Sequence, residues 1–228
     1  MKNWFDFIHP EGWRFVGIFA FATIILYWLF PAVGCLGIVL TLWCAYFFRD
    51  PKRVTPLDDN FVISPADGKV VGIHQVVPPE QMGLGSQPCY RISIFLNVFD
   101  VHINRAPVAG VVERIIYYPG KFLNASLDKA STDNERNAMI IKTPAGYKVG
   151  VVQIAGFIAR RIVTFVKQED VLSAGQRYGL IRFGSRADVY LPQGVTPQVI
   201  VGQYMIGGET ILADLRIKDT DLPQGKAE

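Results

Sequence analysis

From Phe15 to Phe48 the chain runs for 34 residues without an Asp, Glu, Lys or Arg, bracketed by Arg14 on one side and by Arg49, Lys52 and Arg53 on the other. A run this apolar needs a membrane or a deep core to hide in, and its charged borders favour the membrane. At about 1.5 Å per residue one straight helix of this length would reach roughly 50 Å, well past a hydrocarbon core of about 30 Å. Pro31 and Gly34 lie midway. The run therefore predicts two short helices, over 15–30 and 35–48, joined at Pro-Ala-Val-Gly as a tight or re-entrant hairpin with both ends on one face. Basic residues at both ends predict the cytoplasmic face of the cell (inner) membrane. A cleavable secretory leader fits poorly, because the run is too long and no small-residue cleavage site leads into a polar mature start.

Beyond Pro51 the character changes to short Val/Ile-rich runs punctuated by Gly, Pro, Asn and Asp, which is a many-stranded β pattern. The expected division is a membrane-anchoring hairpin over 1–50 and a mainly β (α+β) soluble domain over 51–228. Strands are expected at 69–77, 90–96, 110–117, 138–142, 148–156, 162–166, 178–182, 186–191 and 198–201, with short helices or turns near 97–103 and 121–128. Residues 79–88 and 129–137 read as loops, and 216–228 as a mobile polar tail. Ser64–Val71 and Val171–Gly179 echo each other and resemble turn-and-strand units of a biotinyl/lipoyl-type β-sandwich. The net charge of +3, from 23 basic and 20 acidic residues, is too small to argue for nucleic acid. Cys35, Cys44 and Cys89 form no metal-ligand cluster and no disulfide framework, so a reducing compartment and no metal are expected.

The residues able to carry chemistry are few. Gly184-Ser185 sits between two strand-like runs and is, by composition alone, an ordinary turn. It could also be a strained peptide whose carbonyl is attacked by the neighbouring hydroxyl, an N-to-O acyl shift that needs a base and an oxyanion donor. Of the three histidines, His9 borders the membrane run and His74 lies in a strand. His102 ends an apolar strand, in a loop crowded with Asn97, Asp100, Asn104 and Arg105. A neutral imidazole there can take a hydroxyl proton near neutral pH, and a carboxylate would orient it. Asp67, in Ser-Pro-Ala-Asp-Gly, is a candidate for that carboxylate or simply a good turn residue.

In combination, Ser-Pro-Ala-Asp-Gly-Lys-Val at 64–70, Phe-Asp-Val-His-Ile-Asn-Arg-Ala-Pro at 99–107, Pro-Gly-Lys-Phe-Leu-Asn-Ala at 119–125, Asn-Glu-Arg-Asn at 134–137, Phe-Gly-Ser-Arg at 183–186 and Gly-Gly-Glu-Thr at 207–210 resemble the phosphatidylserine decarboxylase proenzymes, in their short form with an N-terminal apolar hairpin. The resemblance covers almost the whole chain. It implies autocatalytic cleavage between Gly184 and Ser185, giving a heterodimer of residues 1–184 and 185–228 in which Ser185 becomes a covalent pyruvoyl cofactor. It further implies that this ketone forms a Schiff base with phosphatidylserine in the membrane and drives loss of carbon dioxide to phosphatidylethanolamine. Asp67 and Ser185 match the ends of the family's Asp–His–Ser arrangement. Longer relatives resemble Asp-x-His-x-x-His at the loop, whereas here Arg105 stands at the second His and His102 matches only the first. Either His102 serves both processing and decarboxylation, or Arg105 supports the oxyanion while another group takes the proton.

A lipid phosphate beside the ketone would need cations: Arg105 and Arg186 lie next to the motifs, with Lys121, Arg160 and Arg161 as further candidates. Similar short forms act on ether-linked archaeal phosphatidylserine, so the lipid class stays open, as does a homo-oligomer. Two other readings compete: a membrane-anchored β adaptor, which would keep the chain intact, and a self-cleaving protein without decarboxylation, which would expose a serine terminus.

Overall fold

The computed structural model describes residues 7–120, 133–156, 161–182 and 184–225. The expected helix at 121–128, Lys121, Arg160 and Phe183 lie outside the described residues. The chain divides into two compact units, Met1–Lys52 and Arg53–Glu228.

The first unit is a helical hairpin, α1 (Pro10–Leu29) and α2 (Pro31–Phe47). The break is tighter than Pro-Ala-Val-Gly suggested: Phe30 alone separates the helices, in extended backbone, and Pro31 begins α2. Proline pushes the residue before it out of the helical region, yet its fixed φ and missing N–H suit the first turn of a helix. Both helices consequently begin about four or five residues earlier than the charge-free run implied.

Small residues let the helices approach. A Cβ on Gly34 would lie 2.3 Å from Tyr27 Cα, and one on Gly37 would lie 2.7 Å from Thr23 Oγ1. Thr23 Oγ1 and Thr41 Oγ1 are hydrogen-bonded at 3.0 Å across the seam, and Thr41 Oγ1 donates to Gly37 O at 2.8 Å. The open end is clasped by backbone: His9 N donates to Phe48 O and Asp50 N to Phe7 O, both at 2.9 Å, around an antiparallel bridge between Ile8 and Arg49. The other faces present exposed Phe21, Trp28, Val39 and Leu42. α1, with 20 residues, is long and apolar enough to cross a bilayer, while α2 has 17.

The second unit is mainly β. Its described strands are β1 (Phe61–Ile63), β2 (Gly68–Val76), β3 (Cys89–Leu96), β4 (Ile103–Arg105), β5 (Gly110–Tyr118), β6 (Arg136–Lys142), β7 (Lys148–Ala155), β8 (Ile162–Thr164), β9 (Val171–Leu172), β10 (Arg177–Ile181), β11 (Ser185–Tyr190), β12 (Val195–Pro197), β13 (Tyr204–Met205) and β14 (Ile211–Lys218). They form an eight-stranded sheet ordered β13-β2-β3-β11-β7-β6-β5-β9 and two three-stranded sheets, β1-β14-β12 and β4-β10-β8. One face of the large sheet carries Ile92, Ile94, Met139, Ile141, Val149, Val151 and Val189 into the main core. Its other face carries Ala138, Ile140, Val152, Ile154 and Tyr190, covered by Met82 and Leu84 of the 79–88 segment. Both faces are buried, which is why several central strands read as near-continuous apolar runs.

Several expectations need correction. Residues 198–201 are not a strand: the chain turns at 201–202, and Gly202 N bonds back to Val70 O. Of the turn or short helix expected near 97–103 the structure has the turn, set by Asn97 and Asp100 and followed by the start of β4. The tail expected from 216 begins too early, since Arg216–Lys218 finish β14, and β6 takes up residues 136 and 137 of the expected 129–137 loop. The biotinyl/lipoyl comparison is not confirmed. Ser64–Val71 feeds β2, between β13 and β3, whereas Val171–Gly179 is split between β9 at the opposite edge and β10 in a separate sheet. Like turn chemistry produced like sequences in unlike surroundings.

The seam makes a direct prediction. Disulfides need closely approaching side chains across a seam, and the Thr23–Thr41 hydroxyl contact at 3.0 Å brings these two into contact. A Thr23→Cys/Thr41→Cys variant should therefore crosslink under mild oxidation, seen as a loss of two thiols by mass. A Trp28→Cys/Leu42→Cys pair on outward faces should not.

Candidate active site

Four strand ends meet at one end of the large sheet. β11 begins at Ser185, whose register partners are Leu96, the last residue of β3, and Ala155, the last residue of β7. On the far side of β3, β2 starts at Gly68, with Lys69 opposite Phe95. Strand alternation turns Ser185, Ala187 and Val189 toward the main core and Arg186 and Asp188 toward the other face. Ser185 is completely buried, and its Oγ has no hydrogen-bond partner among the described residues. A buried hydroxyl without a partner carries a penalty of about 1–3 kcal/mol, so its retention here suggests chemistry. Gly184 precedes it at φ +61°, a left-handed conformation in which a side chain would be strained although nothing crowds it.

His102 is completely buried. Its Nδ1 lies 3.0 Å from Asp100 O. A carbonyl only accepts, so Nδ1 carries the proton and Nε2 keeps the lone pair of a base. Ile181 N donates to His102 O at 3.3 Å, which ties the histidine to the end of β10 with three residues left before Ser185.

Asp67 lies in the turn that enters β2. Gly207 N donates to its Oδ1 at 2.7 Å and Arg53 Nη2 to its Oδ2 at 2.6 Å. Burial pushes its carboxyl above the usual range; Gly207 and Arg53 oppose the shift, and nearby Asp100 adds to it. Asp100 accepts from Asn97 N at 2.7 Å and from the hydroxyl of Tyr204.

The separated sequence motifs are bonded to one another here. Ser64 N donates to Thr210 O, Gly208 N to Ser64 O and Arg105 N to Pro65 O, each at 2.8 Å. Ala66 packs with Leu96 and Ala187, linking these turns to β3 and β11. Asn134 Nδ2 donates to Ala155 O at 2.7 Å, so the Asn-Glu-Arg-Asn segment caps the strand end beside Ser185. A run of buried amides continues from it: Gln153 Nε2 donates to Asn104 Oδ1 at 2.8 Å, and Asn137 Nδ2 donates to Thr164 Oγ1 at 2.9 Å and, more loosely at 3.4 Å, to Gln153 Oε1.

The expected cations separate. Arg105 is buried among the motif loops and donates through Nη1 to Gly175 O at 3.0 Å. Arg186 points through the other face of the sheet, where it bonds Asp188 at 2.6 Å and Ser93 Oγ at 2.6 Å. Arg161 is exposed. Sequence reasoning took Arg53 only as a flank of the apolar run and overlooked Tyr204 and Gln153. A charged residue adjoining a membrane segment is usually solvated, and nothing local announces that this one reaches a buried carboxylate.

The chain is similar to known proteins over most of its length. The family model described as phosphatidylserine decarboxylase matches residues 40–213. A phosphatidylserine decarboxylase proenzyme of Beijerinckia indica subsp. indica is 58% identical over 217 residues, covering 95% of this chain and 92% of that protein. One of the same name from Nitrobacter winogradskyi is 58% identical over 212 residues, covering 93% and 86%.

The Arg186–Asp188 pair is buried, with each side chain about 1% exposed. Removing one partner of such a pair strands a charge at about 3–5 kcal/mol, while replacing both with apolar groups is far milder. Asp188→Asn should lower stability in urea by that amount, and Arg186→Met/Asp188→Leu should recover part of it, since Arg91, 3.8 Å from Asp188, then loses that carboxylate.

Proposed function

Since the chain belongs to the phosphatidylserine decarboxylase family, we propose that it is a membrane-anchored proenzyme that cuts itself between Gly184 and Ser185 and then decarboxylates phosphatidylserine. The observation that carries this reading is the buried, unpartnered hydroxyl of Ser185 directly after a left-handed glycine. In processing, His102 Nε2 takes the Ser185 hydroxyl proton as Oγ attacks the Gly184 carbonyl carbon. The tetrahedral oxyanion collapses with cleavage of the peptide C–N bond, leaving Gly184 esterified to Oγ and the Ser185 nitrogen protonated. Loss of the ester by β-elimination, then hydrolysis with release of ammonia, would free residues 1–184 and leave a pyruvoyl group on residues 185–228. Asp67 would supply negative charge to the imidazolium, and Arg105, buried among the same motif loops, would support an anionic centre.

The buried position of Ser185 at a strand start fits a small ketoacyl terminus, and such a group supplies an electron sink for decarboxylating an amino-acid headgroup. Around it, Arg105 would hold the lipid phosphate and the closed strand ends would exclude water. Lys121, outside the described residues, remains a second candidate for the phosphate. Arg186 is already committed to Asp188 across the sheet. The two pieces would stay together after the cut, because β11 lies between β3 and β7, β13 pairs with β2 and β14 with β1, all strands of the longer piece. The hairpin would anchor the protein, with Arg14, Arg49 and Lys52 favouring the cytoplasmic face of the cell membrane.

Intact mass should therefore show two chains, 1–184 and 185–228, the second blocked to Edman degradation; a single 228-residue species would overturn the reading. Ser185→Ala should stay uncut. His102→Ala should accumulate as precursor, and Asp67→Asn should show a milder processing defect, both followed by gel. A His102→Ala protein that cuts itself and decarboxylates phosphatidylserine normally would remove His102 from the mechanism. Deleting residues 1–50 should release a domain that still cuts itself, since every motif lies beyond Pro51; retention in alkaline-washed membranes would contradict this.

A further inference from the structure

We propose that Arg53 is a positioning residue for self-processing: it holds Asp67 in its working, ionised form from a strap, residues 53–55, that leads directly out of the membrane hairpin. The inference rests on the reading of Ser185 as the processing site and of Asp67 as the carboxylate that serves His102.

Three contacts make the strap. Arg53 Nη2 donates to Asp67 Oδ2 at 2.6 Å, with the two side chains only 13% and 11% exposed. Val54 N donates to Glu209 Oε1 at 2.9 Å. Thr55 packs against Gly175 so closely that a Cβ there would fall 2.0 Å from Thr55 Oγ1. The strap thus crosses the same turns that shape the site. Gly207 N bonds the other oxygen of Asp67, Glu209 follows two residues later, and Gly175 O accepts from Arg105. Gly208 lies between the two arginines: a Cβ on it would come within 2.6 Å of Arg105 Cδ and 3.5 Å of Arg53 Cβ.

The electrostatics give Arg53 a role beyond packing. The groups that face Asp67 are Arg53 from the strap, the Gly207 amide from the 206–210 turn and Asp100 from the 97–100 turn, itself bonded by Tyr204. Burial and Asp100 both favour the protonated carboxyl, while Arg53 and the amide oppose them. Of these, Arg53 alone contributes a full positive charge. An uncharged Asp67 offers an imidazolium at His102 no stabilisation, so the fraction of Asp67 ionised should scale the processing rate. Without Arg53 the carboxyl titrates at higher pH, and processing should require that higher pH.

The test is the pH dependence of self-cleavage in the full-length chain, pulse-labelled during translation in the presence of lipid vesicles. In the parent chain the rate should rise with pH as Asp67 ionises. In Arg53→Gln the rise should move up by about one pH unit, giving roughly ten-fold slower cleavage on the acid side of the curve and recovery at alkaline pH. Arg53→Lys, which keeps the charge but not the planar fork, should regain most of the rate and most of the original profile. A general loss of structure would slow cleavage at every pH, and alkaline buffer would not rescue it. A slowed Arg53→Gln protein with an unshifted profile, or one that matches the parent, would overturn the proposal. Should Arg53→Gln fail to fold, Val54→Pro decides, because it removes the N–H bonded to Glu209 and lifts the strap with the charge still present. It should shift the profile in the same direction, and an unshifted profile would again overturn the idea. A parent chain that never cuts itself would instead count against Ser185 as the processing site.

Discussion

Everything near the site hangs on the backbone ladder that clamps β11 between β3 and β7. Six consecutive residues, Ser185 to Tyr190, are paired on both sides, so the register of the strand is over-determined. A slip of one residue would turn Ser185 to the wrong face and drive Arg186 and Asp188 into the apolar core. The same alternation that turns Ser185 toward the main core sends Arg186 through the sheet to its carboxylate. The ion pair on one face therefore reinforces the placement of the hydroxyl on the other. The ladder also explains how a strand could begin at a freshly cut terminus without moving, because its hydrogen bonds do not depend on the covalent link to Gly184.

Around that fixed strand end, short turns bring polar groups together where single elements could not. The Ser64–Gly68, Asp100–Arg105 and Gly207–Thr210 segments exchange backbone hydrogen bonds, and each satisfies carbonyls or amides that the others leave open. This mutual satisfaction ties the motifs into one set: altering one exposes buried polar groups on the next. It also concentrates charge. Asp67 and Asp100 lie close enough to raise the former's carboxyl, and Arg53 offsets them. The carboxyl of Asp67 therefore answers to charged groups supplied by two other parts of the chain.

The hairpin obeys a different physics. Its seam is made of glycines, threonines and backbone clasps while most of its large side chains, Phe47 and Phe48 at the open end excepted, face outward. That is the reverse of a water-soluble helix pair and the arrangement expected where lipid, not water, is the surrounding solvent.

Much was legible in the sequence because it depends on near neighbours. The charge-free run from Phe15 to Phe48 defined a helical pair, the Val/Ile alternation marked most of the long strands, and the set of short motifs marked the family. What misled were features whose meaning lies across the fold. The Ser64–Val71 and Val171–Gly179 echo reflected shared turn chemistry and said nothing of which sheet each segment would join. Arg186 adjoins Ser185 in sequence, yet strand alternation puts it on the opposite face, a distinction visible only once the register is known. β14 was overlooked because its Lys- and Arg-bearing end resembles a solvated tail until β12 pairs with Lys218. Arg53 shows the limit most clearly. Sequence identifies a cation beside a membrane segment, but its contact with a carboxylate fourteen residues away follows from how the strap crosses the Gly207 turn. Local propensity is set by adjacent residues, whereas the partners of a buried charge are chosen by burial of the whole chain.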